Sequence, residues 1–478
     1  MIGRPSLSPV INGWTVHGDG RAPGPGEVVR PDERLSWGRT VGLGAQHVLA
    51  MFGATFVFPV LMGLDPNLAI LLSGLATMLF LLMTRGRVPS YLGTSASFVG
   101  VVAAVRADGG TSAEVTGAIA VCGVVVALVG LAVHLGGART VSAVLPPAVT
   151  GAVVLLIGFN LAPVVAGTYW PQDEAVALIT MLVVMVTAVA GRGMLGRLGV
   201  LVGLVVGFGL SLLLDVVLGP ITAPDASGVV STHLRVDLSA VADAPWIGLP
   251  LGTPDAPGLH LPAFSASAIL LVVPVAIALI AENTGHVKAV ASMTREDLDP
   301  YLGRALAADG IATAVAGGVG GSPTTTYAEN IGVMAATRVY STAAYWVAAL
   351  VAVVIGFCPK FGAVVAATPG GVLGGITVVL YGMIGLLGAR IWVENRVDFS
   401  RPEVLVPLAA GIVIGIGDVA LSAGGGSLSG IALGTIVVIL GYHLLRRLAP
   451  APVEGPPREA EGEGADEGTG AAEGRPPR

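Results

Sequence analysis

The stretch Gly320-Gly321-Ser322-Pro323-Thr324-Thr325-Thr326-Tyr327-Ala328-Glu329-Asn330-Ile331-Gly332-Val333-Met334-Ala335-Ala336-Thr337-Arg338 decides how this chain is to be read. It lies in a very apolar half of the sequence, yet it opens with glycines, a serine and a proline, continues with three threonines and carries a carboxylate at Glu329. At membrane depth such polarity survives only where it is enclosed by protein or lines a cavity, because lipid satisfies neither backbone nor side-chain polar groups. Pro323 interrupts any helix approaching it and suits the beginning of a new one. The natural parse is an extended piece followed by a half-helix starting near Thr324 to Tyr327, with free N–H groups and the positive end of its dipole aimed at whatever binds.

Composition supports a membrane setting. Of 478 residues, 54% are hydrophobic and 12% charged, half the charged share of about a quarter found in soluble domains. Mean hydropathy is +0.82. No basic run suggests nucleic acid, and Cys122 and Cys358 fall in apolar runs that suit buried small hydrophobes better than a disulfide or a metal pair. Residues 1–35 lack the apolar run of a signal peptide and read as a flexible cytoplasmic tail. Residues 449–478 are Glu, Gly, Ala and Pro and read as a disordered one.

Between the tails, apolar runs recur at lengths able to cross a hydrocarbon core of about 30 Å. They parse as fourteen spans: seven within 36–219, a long extracytoplasmic loop over 220–265 containing a hairpin-like strand, and seven within 266–448. With the N-terminus inside, the inner loops collect seventeen Lys and Arg, whereas the outer side has Arg106, Arg235 and Lys360 alone. That asymmetry places both termini in the cytoplasm.

The chain also echoes itself. Gly93-Thr94-Ser95-Ala96-Ser97-Phe98 in span 3 resembles Gly321 to Thr326 in span 10, offset by 228 residues, and Leu145 to Gly151 in span 5 resembles Thr368 to Gly374 in span 12. Two halves with an odd number of spans are inverted relative to one another, the plan by which secondary transporters place a substrate between paired breaks near the midplane.

Glu282 and His286, four apart at the end of span 8, share a helical face. A carboxylate at a helix centre costs roughly 2.5–3.5 kcal/mol on insertion scales, so Glu282, His286 and Glu329 are the foremost functional candidates. Two carboxylates at one desolvated site do not both ionise cheaply, so one of them is expected to hold a proton near neutral pH, the basis of proton coupling. The bland alternatives are a solvated pair near Lys288 for Glu282 and His286, and pairing with Arg338 for Glu329. Nine residues of helix at about 1.5 Å each argue against the second.

Tyr327-Ala328-Glu329-Asn330-Ile331-Gly332 followed by Thr337-Arg338, together with Ala45-Gln46-His47 and Ala281-Glu282 with His286, resembles the nucleobase-ascorbate transporter family over nearly all of residues 35–448. The resemblance is nearest to its bacterial uracil permease branch, which has Glu at the position of Glu329. It implies an all-α polytopic fold with core and gate domains, short antiparallel strands in broken spans 3 and 10, a homodimer, and proton symport of a nucleobase without any cofactor. It also implies roles. Glu282 and Glu329 would bind the base, His286 would join the protonation network, and backbone N–H groups around Ala96 and Ala328 would meet its carbonyls. Several uracil permeases have Phe where this chain has Ala96, so Phe98 or Tyr327 would have to flank the base. Tyr381 would line the gate side, and Gln46, His47 and Asn330 would brace the core. The alternatives are a purine permease taking xanthine or uric acid, and an anion exchanger of the same architecture; no nucleophile-base pair or Asp-rich motif favours an enzyme.

Overall fold

In the computed structural model, residues 13–24, 26–137, 146–192, 195–225, 228–254, 256–423 and 426–449 are described. In chain order the elements are β1 (Thr15–Val16), β2 (Glu33–Arg34), α1 (Trp37–Leu61), α2 (Pro66–Met83), β3 (Leu92–Thr94), α3 (Ala96–Ala107), α4 (Ser112–Gly136), α5 (Pro147–Asn160), α6 (Glu174–Ala190) and α7 (Gly199–Val217). There follow β4 (Ile221–Pro224), β5 (Val230–His233), α8 (Ala266–Thr294), α9 (Asp299–Gly318), β6 (Thr324–Thr326), α10 (Ala328–Thr337), α11 (Thr342–Gly356), α12 (Pro359–Ala366), α13 (Gly370–Glu394), α14 (Pro402–Ile416), β7 (Ala420–Ala423), β8 (Gly426–Ser429) and α15 (Gly430–Leu448).

Among the described residues eight helices are long and apolar enough to cross a membrane, α5 being counted with the turns that continue it to Gln172, or nine if α11 and α12, bent by 85°, form one span. The protein is thus a mostly helical multi-pass membrane protein with short strands. α3 and α10 are shorter: twelve and ten residues at about 1.5 Å each reach only part-way through a core of about 30 Å.

The helices sort into two packed sets. In one, α4 lies along α9, and α1, α2 and α11 pack together with β3 against α2; in the other, α13 packs on α5, α6 and α7, and α14 on α15 and α5. Glycine makes the seam between α4 and α9 tight. A Cβ on Gly310 of α9 would lie 2.2 Å from the Ala127 nitrogen of α4, and one on Gly123 of α4 would lie 2.3 Å from the Ala314 nitrogen. Gly303, Gly310 and Gly317 recur every seven residues along this contact, so the backbones meet where apolar solvent gives no driving force and close packing must supply it. The glycines at the start of α13 act likewise: a Cβ on Gly375 would lie 2.3 Å from the Ala177 carbonyl oxygen of α6.

The long loop contains the expected hairpin, with β4 antiparallel to β5 from Ile221↔His233 to Pro224↔Val230. Arg235 ties it to the helix ends. Its Nε donates to Asp173 Oδ2 at 2.7 Å and its Nη1 to Asp215 Oδ1 at 3.1 Å, all three side chains being only 9% exposed. Burial by itself lowers the Arg235 guanidinium, but the two carboxylates outweigh it and hold the group above its ordinary value.

The N-terminal segment departs from the flexible tail expected of residues 1–35. β1 and β2 pair in parallel, Val29 bridges Val339 just beyond α10, and Val29, Leu35 and Val339 form a small buried cluster. Trp14 Nε1 donates to Thr342 Oγ1, which donates in turn to the Pro31 carbonyl, both at 2.8 Å. Isolated apolar residues such as Val29 and Leu35 carry no periodic signal, which is why this docking is invisible in the sequence. Residues 1–12, and the acidic tail from residue 450 onward, lie outside the described residues.

Candidate functional site

Strands β3 and β6 pair antiparallel with Leu92↔Thr326, Gly93↔Thr325 and Thr94↔Thr324 in register. Pro323 and the β-branched threonines favour an extended chain here, and pairing satisfies backbone groups that lipid cannot. The pair is stitched by Ser95 N–H to the Pro323 carbonyl at 2.9 Å, Tyr327 N–H to the Tyr91 carbonyl at 3.0 Å, and Thr94 Oγ1 against Ser322 Oγ at 3.0 Å.

A two-stranded sheet leaves two outer edges, and each is closed by one threonine. Thr77 of α2 accepts from the Leu92 N–H at 2.9 Å and donates to the Leu92 carbonyl at 3.3 Å. Thr313 of α9 accepts from the Thr324 N–H and donates to the Thr324 carbonyl, both at 3.1 Å.

Three consecutive threonines of β6 then meet three titratable side chains. Thr324 Oγ1 donates to Asp309 Oδ1 at 3.3 Å, Thr325 Oγ1 donates to Glu282 Oε2 at 3.2 Å, and Thr326 Oγ1 lies 2.5 Å from His286 Nδ1. Glu282 and His286 project from one face of α8, as their spacing predicts, and both are half-buried. Glu282 is close enough to Asp309 and Glu329 for their charges to act on it. Glu329 stands in the first turn of α10, half-buried, after the exposed Ala328. Ala96, half-buried, opens α3 in the same manner. Both positions are helix N-termini, where backbone N–H groups have no partner within the helix and the dipole favours acceptors.

Bracing residues complete the arrangement. Asn330 Nδ2 donates to the His47 carbonyl at 3.0 Å and reaches His47 Nδ1 at 3.1 Å, which must therefore accept and leaves the imidazole proton on Nε2. Tyr345 stacks on His47 with ring centroids 4.3 Å apart and donates to the Asn330 carbonyl at 3.3 Å. Gln46, next in the chain, is half-buried.

The three aromatic candidates are all buried. Phe98 is fully buried within the apolar core, because the chain enters a 3-10 turn at Ala96 that, at about 120° per residue, carries Phe98 away from the face Ala96 occupies. Tyr327 is 4% exposed; its hydroxyl donates to the Thr94 carbonyl at 2.8 Å and accepts from Thr55 Oγ1 at 3.2 Å, a cross-brace between the broken segments. Tyr381 is buried, lines an apolar cavity of about 440 Å³ with Gly158, Phe159 and Trp170, and its hydroxyl has no partner among the described residues.

Asp309 is the residue the sequence reading passed over. It is fully buried on α9, accepts from Asn283 Nδ2 at 3.2 Å, and so joins the helix of Glu282 to the first threonine of β6. The signal was present: a lone acid within an apolar span meets the same criterion that singled out Glu282 and Glu329.

Two half-helix N-termini held together by paired strands, with carboxylates at depth among membrane helices, define a membrane transporter. The Xan_ur_permease model, described as a permease family, matches residues 38–424, and the chain belongs to that family of nucleobase-ascorbate transporters. It is a transporter and not an enzyme. The chain is 47% identical over 433 residues to the putative pyrimidine permease RutG of Escherichia coli K12, covering 89% of this chain and 94% of that protein. It is 37% identical over 420 residues to the uracil permease of Bacillus caldolyticus, covering 85% and 92%. Among solved structures, murine Slc26a9, an anion transporter in the inward-facing state, aligns with a TM-score of 0.62 at 12% identity over 87% of this chain and 70% of that one. The transmembrane domain of the cyanobacterial bicarbonate transporter BicA aligns at 0.56 and 16% identity over 84% and 96%. These structures share the fold alone.

Proposed function

We propose that this protein is a proton-coupled symporter that imports uracil, or a related pyrimidine base, across the cytoplasmic membrane by alternating access. The observation that carries the reading is the placement of Glu282, His286 and Glu329 around β6 beside two half-helix N-termini, in a chain whose relatives are named uracil and pyrimidine permeases. Uracil offers two N–H donors and two carbonyl acceptors, which suit carboxylates and half-helix N-termini respectively. In this reading Glu282 and Glu329 accept from the ring N–H groups, backbone N–H groups at Ala96 and Ala328 donate to the carbonyls, and His286 shares the proton with Glu282.

The architecture that goes with this function is fourteen spans in two inverted sets of seven. The set containing β3, β6 and α8 moves as a core against a gate built on α5 and α13. Both termini are cytoplasmic, and two copies pair through the gate. The repeated threonine clasp on β3 and β6 supports the inverted repeat.

The test is uptake of radiolabelled uracil into proteoliposomes, with excess uracil, thymine, xanthine or bicarbonate as competitors. Competition by uracil and thymine but not by xanthine or bicarbonate agrees with a pyrimidine site. Competition by xanthine would move the assignment to purines, and uptake of bicarbonate without uracil would move it to anion exchange.

A further inference from the structure

The long loop between α7 and α8 carries a surface that nothing in the transport site uses. Residues 244–264 include one acid, Asp255, and one histidine, His260, but no Lys or Arg. Within them Trp246 is 73% exposed, Ile247 86%, Leu249 59% and Leu251 66%. These side chains stand on a fixed backbone. Gly248 N–H donates to the Phe357 carbonyl at the end of α11, Lys360 N–H of α12 donates to the Pro245 carbonyl, and Gly258 N–H donates to the Leu251 carbonyl, each at 3.0 Å. At the far end Ala263 N–H donates to the Ala113 carbonyl of α4 at 2.8 Å.

The surface continues an exposed apolar stripe. Leu350 and Val354 of α11 and Phe357, which caps it, are exposed at spacings of four and three, a single stripe along the helix. That stripe ends at Phe357, whose carbonyl holds Gly248, so Trp246 and Ile247 extend it beyond the helix end. Lys360 lies there too, with its ammonium 5.4 Å from the Trp246 ring centroid and bonded to the Val241 carbonyl at 2.9 Å. A tryptophan with a cation at a helix end is the chemistry of the bilayer interface, where an apolar body meets hydrocarbon and a polar edge meets headgroups.

We infer that residues 245–251 are a monotopic anchor, seated in the headgroup and upper acyl layer of the membrane on the face of the protein that carries this loop. The occupant of the exposed patch is lipid, because the patch is continuous with the exposed apolar stripe of α11. Since the loop also grips α4, α11 and α12, the anchor fixes one set of helices relative to the bilayer surface.

The experiment labels Ile247→Cys with an environment-sensitive fluorophore, in protein carrying Cys122→Ala and Cys358→Ala, after reconstitution into vesicles. Ser231→Cys on the exposed hairpin strand β5 gives the water-facing reference. The anchor predicts a blue-shifted emission at position 247, strong loss of emission with lipids brominated near the headgroup, weaker loss with lipids brominated at the chain end, and little loss with aqueous iodide. Quenching by iodide but not by lipid would overturn it, as would protection from both, which would place a second copy of the chain on the patch. An unchanged thermal midpoint and elution volume of the labelled protein keeps the result readable whatever base the protein carries.

Discussion

Thr77 and Thr313 make the same two hydrogen bonds, each from one hydroxyl to both the N–H and the carbonyl of the first residue of a broken strand, Leu92 in one case and Thr324 in the other. Each closes an open sheet edge inside an apolar surround. Replacement by valine leaves a backbone donor and acceptor buried without partners, at a cost of about 1–3 kcal/mol. Thr77→Val and Thr313→Val should therefore lower the thermal midpoint in detergent by similar amounts. An effect confined to one of them would show that the two clasps are not equivalent.

Asp309 supports both α8 and β6, so the way it is replaced should matter. Asp309→Asn keeps one acceptor and loses one of the two bonds, to Asn283 or to Thr324; Asp309→Ala loses both and strands two buried polar groups. Alanine is expected to be the less stable by about 1–3 kcal/mol, with uracil uptake reduced in both. Equal stability of the two variants would mean that the carboxylate is not bridging.

The α4–α9 seam predicts a contrast between two glycines of one helix. Gly310→Ala drives a methyl into the backbone of α4 and should cost about 1–3 kcal/mol of overpacking. At Gly318 a Cβ meets no atom within 4 Å, so Gly318→Ala should leave the thermal midpoint unchanged or slightly raised. Unfolding of the two variants side by side checks the geometry of the seam.

Removing Arg235 brings Asp173 and Asp215 together without their cation. Breaking a desolvated pair from one side costs about 3 kcal/mol or more, so Arg235→Gln should lower stability clearly at neutral pH. If the loss comes from the two charges left facing each other, replacing both acids as well, with Asp173→Asn and Asp215→Asn, should restore much of it. A penalty that persists unchanged in the triple variant would assign the loss to packing.

Much of the site could be read from residue types. Pro323 with three threonines announced a broken segment, and the spacing of Glu282 and His286 announced a shared face; both are present as strand β6 and the α8 contacts to Thr325 and Thr326. The internal echo was legible but slipped. Matching Gly93 to Gly321 by composition gives an offset of 228, whereas the strands begin at Leu92 and Thr324 and the helices at Ala96 and Ala328, an offset of 232. Composition aligns small residues, but equivalence is set by where the edge hydrogen bonds fall, and threonines at 77 and 313 do not advertise that role. The burial of Phe98 was not legible for a related reason, since it depends on the helical turn that opens at Ala96. Docking of the N-terminal segment depends on the turn after α10, a partner more than three hundred residues away in sequence.

The proposed symport places Glu329 with Glu282 and His286 in the group that links uracil movement to protons. Uptake of radiolabelled uracil into proteoliposomes, with and without an inward proton gradient, compares wild type with Glu329→Gln. Accumulation should rise as the outer medium is acidified in wild type, and that gradient-driven accumulation should be lost in the variant. Equal accumulation with and without the gradient would rule out proton coupling, and a Glu329→Gln protein that still responds to the gradient would remove Glu329 from it.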